Sequence, residues 1–344
     1  MRAPRMTTRR MGATQHKCTI LCDGFHPSCG LVLAVLALAI VAQGTQAQTY
    51  PSKPVRVIVA GGAGSGDDFY ARLVSIKLGE LLGQQFIVDN RPGAGGLIGH
   101  QFVIKSPADG YTLMLAGSSM TGVRFVNANV NYDVSRDFTP VSLLETSPFA
   151  LLVHPSLPAR SVKEFIALAR SSPGKVSTAN LGGGQMPYWC SVLLRTMARI
   201  ETVDVPYKTG PAAIVDLIAG QVDSYFAPSV NAITNRNRLR VLAVTGAARS
   251  AMLPDVPTMA EAALPGYDLT TWRSIVGPAG LHRDIVDTLN QAVARALAMP
   301  DVRERILKAG SAPAPGTPEQ LAKRIADSVA RFGRIAKQAG IRPQ

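Results

Sequence analysis

The stretch that decides the fold is Val55–Asp68, VRVIVAGGAGSGDD. It opens with five mostly apolar residues rich in β-branched side chains, a pattern that predicts a buried strand. The glycine-rich run Gly61–Asp67 comes next. Phe69, Leu73 and Ile76 then follow near helical spacing. We therefore predict a strand, a glycine-rich turn and a helix, in that order.

A glycine-rich turn between a strand and a helix is suited to binding. Such a turn points backbone N–H groups and the positive end of the helix dipole into a cleft, which favours a bound anion. The alternative is a tight turn that needs glycine only for its backbone angles. The stretch by itself does not separate the two interpretations.

The first 47 residues have the pattern of a secretory signal. A basic front end precedes the 12-residue apolar core Leu31–Ala42, and Thr45-Gln46-Ala47 ends in a small residue. A core of this length is too short to span a bilayer, so we predict an exported protein cleaved near Ala47. The alternative is a membrane anchor that stays attached.

Composition narrows the classes of function. The chain has 344 residues and 47% hydrophobic residues, enough for two domains with real cores. Its formal net charge of +13 raises the local concentration of anions. Because the basic residues are scattered and aromatic residues make up only 6%, we predict no nucleic-acid partner.

The cysteines give neither a disulfide framework nor a metal site. Cys18, Cys22 and Cys29 fall in the leader, which leaves Cys190 alone in the exported chain. We predict a buried thiol at Cys190 and no metal, since no cluster of ligand residues has metal-site spacing.

Strand, turn and helix alternate beyond the first motif. Phe86–Asp89 and Tyr111–Ala116 are predicted strands, and Gly117–Ser119 follows the second of them. This alternation predicts an α/β fold with a parallel sheet. Ligands of such sheets bind outside the carboxyl ends of the strands, where Gly61–Asp68 and Gly117–Ser119 would both lie.

Two segments are predicted to connect two lobes. The apolar stretch Val141–Val153 would carry the chain into a second lobe, and Trp272–Val276 would return it. We predict lobe 1 from residues 48–148 and 276–344, and lobe 2 from residues 149–275. A cleft between lobes is a common place for a small ligand.

The sequence resembles the Bug family, the extracytoplasmic solute-binding subunits of tripartite tricarboxylate transporters. The resemblance runs from about Tyr50 to Ile341. The motifs that carry it are Tyr50-Pro-Ser-Lys-Pro-Val-Arg, Asn90-Arg-Pro-Gly-Ala-Gly-Gly, Ala108-Asp-Gly-Tyr-Thr-Leu, Phe138-Thr-Pro-Val-Ser, Val205-Pro-Tyr-Lys, Gly220-Gln-Val-Asp and Leu253-Pro-Asp-Val-Pro-Thr-Met-Ala-Glu.

The resemblance implies a type II periplasmic-binding-protein fold and a non-catalytic function. The protein would be a periplasmic monomer without a cofactor, capturing a small organic carboxylate for the membrane permease subunits of the transporter. An alternative is a ligand sensor that feeds a signalling partner; a secreted hydrolase is a weaker one.

The resemblance also implies a set of ligand-binding residues. They come from the first glycine-rich loop, the loop after the third strand, a glycine-rich loop of lobe 2, a tyrosine motif and the return crossing. The candidates are Gly62, Ala63, Gly64, Ser65, Gly66, Asp67, Ser118, Ser119, Gly183, Gly184, Gln185, Tyr207 and Trp272.

The chain departs from the family pattern at these loops. Asp67 stands where the family commonly has Thr, and Gly184-Gln-Met-Pro-Tyr replaces Gly-Ser-Thr-Ser-His. Asp67 and the adjacent Asp68 are interpreted either as helix caps or, for Asp67, as a partner of a ligand ammonium or amide. We expect a ligand larger or more aromatic than a small dicarboxylate, aromatic or amide-bearing.

Enzyme motifs are incomplete. The glycines of the first loop do not complete GxGxxG, and Gly66 is followed by Asp67 where a phosphate-binding loop requires lysine. Gly117–Thr121 resembles a nucleophile elbow but ends in Thr. Of the histidines beyond the leader, His100 is predicted to lie on a helix surface. We therefore predict no catalytic residue.

Overall fold

The structure is a computed structural model that describes residues 50–182 and 184–344. The predicted signal segment and Gly183 lie outside the described residues. The strands are β1 (Val55–Val59), β2 (Phe86–Asn90), β3 (Thr112–Gly117), β4 (Phe138–Val153), β5 (Ser177–Asn180), β6 (Val203–Pro206), β7 (Ser224–Pro228), β8 (Arg240–Val244), β9 (Thr270–Pro278) and β10 (Ala312–Pro313).

The helices between and after these strands match the predicted alternation. They are α1 (Gly66–Leu82), α2 (Leu97–Ile104), α3 (Ser119–Gly122), α4 (Val162–Ser171), α5 (Met186–Ala198), α6 (Gly210–Ile218), α7 (Ser229–Thr234), α8 (Met259–Ala262), α9 (Arg283–Ala298), α10 (Pro300–Lys308) and α11 (Pro318–Gln338). Within the described part of the chain, no helix has the length and apolar character needed to cross a bilayer.

The sheet is mixed rather than parallel throughout. Its strands follow the order β2-β1-β3-β9-β4-β7-β5-β6, with β8 and β10 also paired to β4. The predicted parallel pairing holds for β1 with β2 and β3, and for β5 with β6 and β7. The central strands β4 and β9 pair with each other antiparallel. The alternation of strands and helices in the sequence did not predict this antiparallel pairing. It arises because β4 carries the chain out of the first half of the fold and β9 carries it back.

Strand β4 is shared by both halves of the α/β fold. Its first part pairs with β9 as far as Pro148, opposite Thr270. From Phe149 onward it pairs with β7, and Phe149 lies opposite Pro228. The two predicted crossing stretches lie within β4 and β9, which pair with each other. The lobe boundaries themselves stay a prediction, since the C-terminal helix α11 also packs Phe332 into the core around Trp189.

Alternating side chains of single strands build cores on both faces of the sheet. In β1, Val57 packs with α1 and α9, whereas the neighbouring Ile58 packs with the residues near α2 and α11. In β4, Leu151 and Leu152 separate in the same way between two further clusters. This period of two is the property of a strand buried on both faces.

His100 is buried, so its predicted place on a helix surface was wrong. It lies on the inner side of α2 with 5% of its surface exposed. Its Nδ1 is 2.9 Å from the Tyr132 hydroxyl, and its ring packs edge-on against Phe138. Burial lowers the pKa of His100 to about 4.

We predict that neutral His100 makes stability depend on pH. The unfolded chain binds a proton at this residue near pH 6.5, whereas the folded chain does so only near pH 4. The stabilisation is therefore complete above pH 6.5 and is lost as the pH falls towards 4, by roughly 3 kcal/mol in all. Denaturant unfolding of the wild type and His100→Asn between pH 7.5 and 4.5 measures this, and the variant should lose less stability.

His282→Asn is the matched control. This variant also replaces a histidine by asparagine, but the His282 side chain is 74% exposed, so the argument from burial does not apply to it. Parallel profiles for His100→Asn and the wild type would contradict the prediction.

Candidate functional site

A cavity of about 240 Å³ lies beside the crossing strands β4 and β9. Residues of both predicted lobes line it. They are Asp67, Gly117, Ser118, Ser119, Phe149, Leu181, Gln185, Met186, Pro187, Gly210, Pro211, Tyr225, Pro228, Asn231, Thr271, Trp272 and Arg273.

The first glycine-rich loop is stabilised by hydrogen bonds between its own side chains and backbone. Ser65 caps α1 by accepting a hydrogen bond from the backbone of Asp68, and the Asp68 carboxylate accepts one from the N–H of Gly64 at 2.9 Å. Gly64 has φ +77°, a conformation that favours glycine. The hydrogen bond from Arg72 holds the pKa of Asp68 down to about 2. Asp68 thus secures the loop rather than facing a ligand.

Asp67 faces the cavity, and its structural partner is Arg273. Asp67 Oδ1 accepts from Nε of Arg273 at 2.6 Å. Of the predicted first-loop residues, Asp67 lines the cavity, while Gly62–Gly66 lie outside its lining. A Cβ atom at Gly66 would be 3.0 Å from Nη2 of Arg273. The glycine therefore leaves room for the guanidinium.

Arg273 is held on several sides. Besides Asp67, its Nη1 donates to Oε1 of Glu145 at 2.7 Å. The ring of Tyr70 lies against the guanidinium, 4.7 Å from centroid to Cζ. Burial disfavours the charge on Arg273, but Asp67 and Glu145 outweigh it and raise the pKa of the guanidinium.

Glu145 is a fully buried carboxyl on β4. It has 0% exposure, and its Oε2 atom has no hydrogen-bond partner among the described residues. Burial raises the pKa of Glu145, and Arg273 opposes that rise. The sequence analysis missed Arg273 and Glu145, although a glutamate inside the apolar run Val141–Val153 and an arginine next to Trp272 were visible signals.

The loop after β3 and the strand β9 meet at the cavity. The Ser118 hydroxyl is 2.6 Å from that of Thr271, and Ser119 begins the short helix α3. Trp272 is 1% exposed, and its Nε1 donates to the hydroxyl of Ser328 at 3.0 Å. The structure therefore brings Ser118, Ser119 and Trp272 together with Asp67.

The predicted residues of the second lobe are split by the structure. Gln185 lines the cavity just before α5. Gly184 is buried beside Val123 instead, and a Cβ atom at Gly184 would stand 3.3 Å from the nearest Val123 atoms. Tyr207 lies outside the lining and donates its hydroxyl to Asp216 at 2.8 Å.

Tyr225 is a further site residue that sequence analysis missed. It lies on β7 with 1% exposure, and its hydroxyl has no hydrogen-bond partner among the described residues. The hydroxyl lies 3.3 Å from where a Cβ of Gly210 would stand, at the start of α6. The N-termini of α5 and α6 both reach the cavity, with Pro187 and Pro211 in their first turns.

This arrangement can hold an anion. Helix N-termini and a buried hydroxyl donor stabilise negative charge. Ser118 bonds to a threonine, and the described lining residues include no histidine. Across residues 50–182 and 184–344, no three His, Cys, Asp or Glu side chains group as metal ligands. Cys190 is buried, as predicted.

Known proteins resemble the chain over most of its length. A protein from Pseudomonas sp. (strain P51), described as "UPF0065 protein in tcbD-tcbE intergenic region", is 38% identical over 88% of this chain and 92% of its own. The solved structure of R. palustris Rpa4515 with adipate is 33% identical with a TM-score of 0.78, covering 86% of this chain and all of that one.

A second solved structure, the periplasmic binding protein BugD, is 28% identical with a TM-score of 0.76 over 86% of this chain and all of that one. These likenesses confirm the predicted periplasmic-binding-protein fold. The family model of the tripartite tricarboxylate transporter family receptor, TctC, matches residues 70–341. The chain therefore belongs to this receptor family, the Bug/TctC solute-binding proteins.

Proposed function

We propose that this protein is a periplasmic receptor that binds a small organic carboxylate and delivers it to the permease subunits of a tripartite tricarboxylate-type transporter, without catalysing a reaction. Its family consists of solute-binding proteins. A similar structure was solved with adipate, a small carboxylate. We propose that the protein acts as a monomer after removal of residues 1–47.

The observation that carries the proposal is the buried hydroxyl of Tyr225, which has no hydrogen-bond partner in the described part of the chain. A buried polar group without a partner costs free energy, about 1–3 kcal/mol. Its place beside the start of α6, in a cavity that α5 also reaches, suits a ligand carboxylate. The carboxylate would accept from the hydroxyl and from backbone N–H groups at the start of α5, which has no side-chain cap, and so remove the cost.

The other residues that line the cavity suggest that the part of the ligand beyond its carboxylate is apolar. Phe149, Leu181 and Trp272 line the cavity with apolar surface. Apolar walls with a few polar groups are typical of small-molecule sites, and they favour a carboxylate with an apolar or aromatic body. This supports the expectation of a ligand larger than a small dicarboxylate.

We propose distinct roles for the predicted site residues. Asp67, Ser118, Ser119, Gln185 and Trp272 would contact the ligand, because they line the cavity. The remaining candidates would act by shaping loops. The lobes, 48–148 with 276–344 and 149–275, would close around the ligand by a hinge in β4 and β9.

Calorimetry with a panel of carboxylates tests the binding function. The panel contains succinate, adipate, hexanoate, benzoate and phenylacetate, with hexanamide and benzamide as uncharged controls. We expect carboxylates with an apolar body to bind and the amides not to, because the site supplies donors for a negative charge. Equal binding of the amides would contradict carboxylate recognition; tightest binding of succinate would contradict the larger ligand.

A pair of tyrosine variants tests the role of Tyr225. Tyr225→Phe removes a hydrogen bond to a charged ligand, so we expect affinity to fall about 10- to 100-fold while stability stays equal or rises. Tyr267→Phe is the matched control, since that buried hydroxyl donates to the carbonyl of Cys190 at 2.9 Å. It should lower stability by about 1 kcal/mol and leave affinity unchanged.

Calorimetry measures the affinity of both variants for the ligand, and thermal unfolding measures their stability. If Tyr225→Phe loses stability and keeps its affinity for the tightest carboxylate of the panel, the hydroxyl is structural and does not hold the ligand.

A further inference from the structure

The charged groups beside the cavity are unevenly distributed. Among the described lining residues, Asp67 and Arg273 are the charged ones, and both lie on the side formed by α1 and β9. The opposite side, formed by the starts of α5 and α6 with Tyr225, offers donors without a charged side chain. A ligand that spans the cavity therefore contacts charged side chains at one end and uncharged hydrogen-bond donors at the other.

Arg273 lines the cavity with its side chain 19% exposed, and two acids of the protein already hold its guanidinium. Its Nε is bonded to Asp67 at 2.6 Å, and its Nη1 to Glu145 at 2.7 Å. Tyr70 covers one face of the guanidinium, and the missing side chain at Gly66 leaves room for Nη2. An arginine paired in this way has its positive charge balanced by the protein's own acids.

The charge balance at this end does not favour a second carboxylate. With Glu145 ionised, the two acids exceed Arg273 by one negative charge, and with Glu145 protonated the group is neutral. In neither state is positive charge left over. A ligand carboxylate placed here would lie beside Asp67, and like charges at such a short distance repel.

Asp67 can accept a hydrogen bond from a ligand. Its side chain is 37% exposed, and only its Oδ1 atom is engaged by Arg273. Ser118 and Thr271, which share a hydrogen bond at 2.6 Å, lie on the same side of the cavity. This end thus suits an ammonium or an amide N–H group.

We propose that the cavity selects a carboxylate whose far end carries a hydrogen-bond donor, an ammonium or an amide, and that Asp67 with its partner Arg273 discriminates against dicarboxylates. The proposal rests on the carboxylate-binding function proposed above and specifies the ligand class of that same site. Asp67 is then a specificity-determining residue, and Arg273 positions it.

Calorimetry with two matched series of ligands tests the proposal. One series is adipate, its monoamide and 6-aminohexanoate, and the other is terephthalate, 4-carbamoylbenzoate and 4-(aminomethyl)benzoate. In each series the backbone is kept and only the far end changes. We expect the monoamide or the amine of at least one series to bind at least tenfold more tightly than the dicarboxylate.

Asp67→Asn shows whether Asp67 causes the preference. The substitution keeps the shape and removes the negative charge, so the preference over the dicarboxylate should shrink at least tenfold. Asp301→Asn is the control, since Asp301 is an exposed acid that pairs with Lys77 on the outer surface. It should leave every ratio unchanged. Thermal unfolding of both variants establishes that they are folded.

The outcomes separate this proposal from the broader one. A dicarboxylate that binds more tightly than its monoamide and its amine overturns the ligand class while supporting a carboxylate receptor. An unchanged preference in Asp67→Asn overturns the role of Asp67. If none of the six probes binds but a simple carboxylate of the earlier panel does, this proposal fails and the receptor function stands.

Discussion

The burial of a positive charge at Arg273 is the constraint on which the site depends. An ion taken out of water is stable only when opposite charges and hydrogen bonds surround it, and removing one partner of such a pair costs about 3–5 kcal/mol. Glu145 supplies the buried partner from β4, and Asp67 supplies the other from the start of α1. The ion pairs therefore connect the first glycine-rich loop to both crossing strands.

The crossing strands explain why the cavity lies where it does. Since β4 and β9 pair at the centre of the sheet, side chains of these strands line the cavity and also pack into the core. Phe149 and Trp272 contribute apolar walls, while Arg273 contributes the charge. The helices α5 and α6 begin after strands β5 and β6 of the second lobe, so their N-termini reach the same cavity from the opposite side.

Local patterns predicted most of the fold, whereas distant contacts decided the site. The strand, turn and helix at Val55–Asp68 depend on neighbours in sequence, and they were predicted correctly. The ion pair of Asp67 with Arg273 joins residues 206 positions apart, and no periodic pattern in the sequence predicts it. His100 was misplaced for the same reason, because its burial depends on Tyr132 and Phe138 from a later segment. Motif resemblance pointed to Tyr207, while Tyr225 on the following strand lines the cavity.

The departure at Asp67 makes sense only together with Arg273. In the family pattern that the sequence resembles, this position is commonly Thr, which brings no charge. An aspartate alone at the positive end of α1 would be tolerated as a helix-terminus acid, yet it would repel an anionic ligand. Arg273 holds Asp67 in place, but Glu145 also pairs with it, so the three groups together keep no net positive charge for a second carboxylate. The proposed role of the pair is to set which far end the ligand carries, and the proposed role of α5, α6 and Tyr225 is to bind its carboxylate.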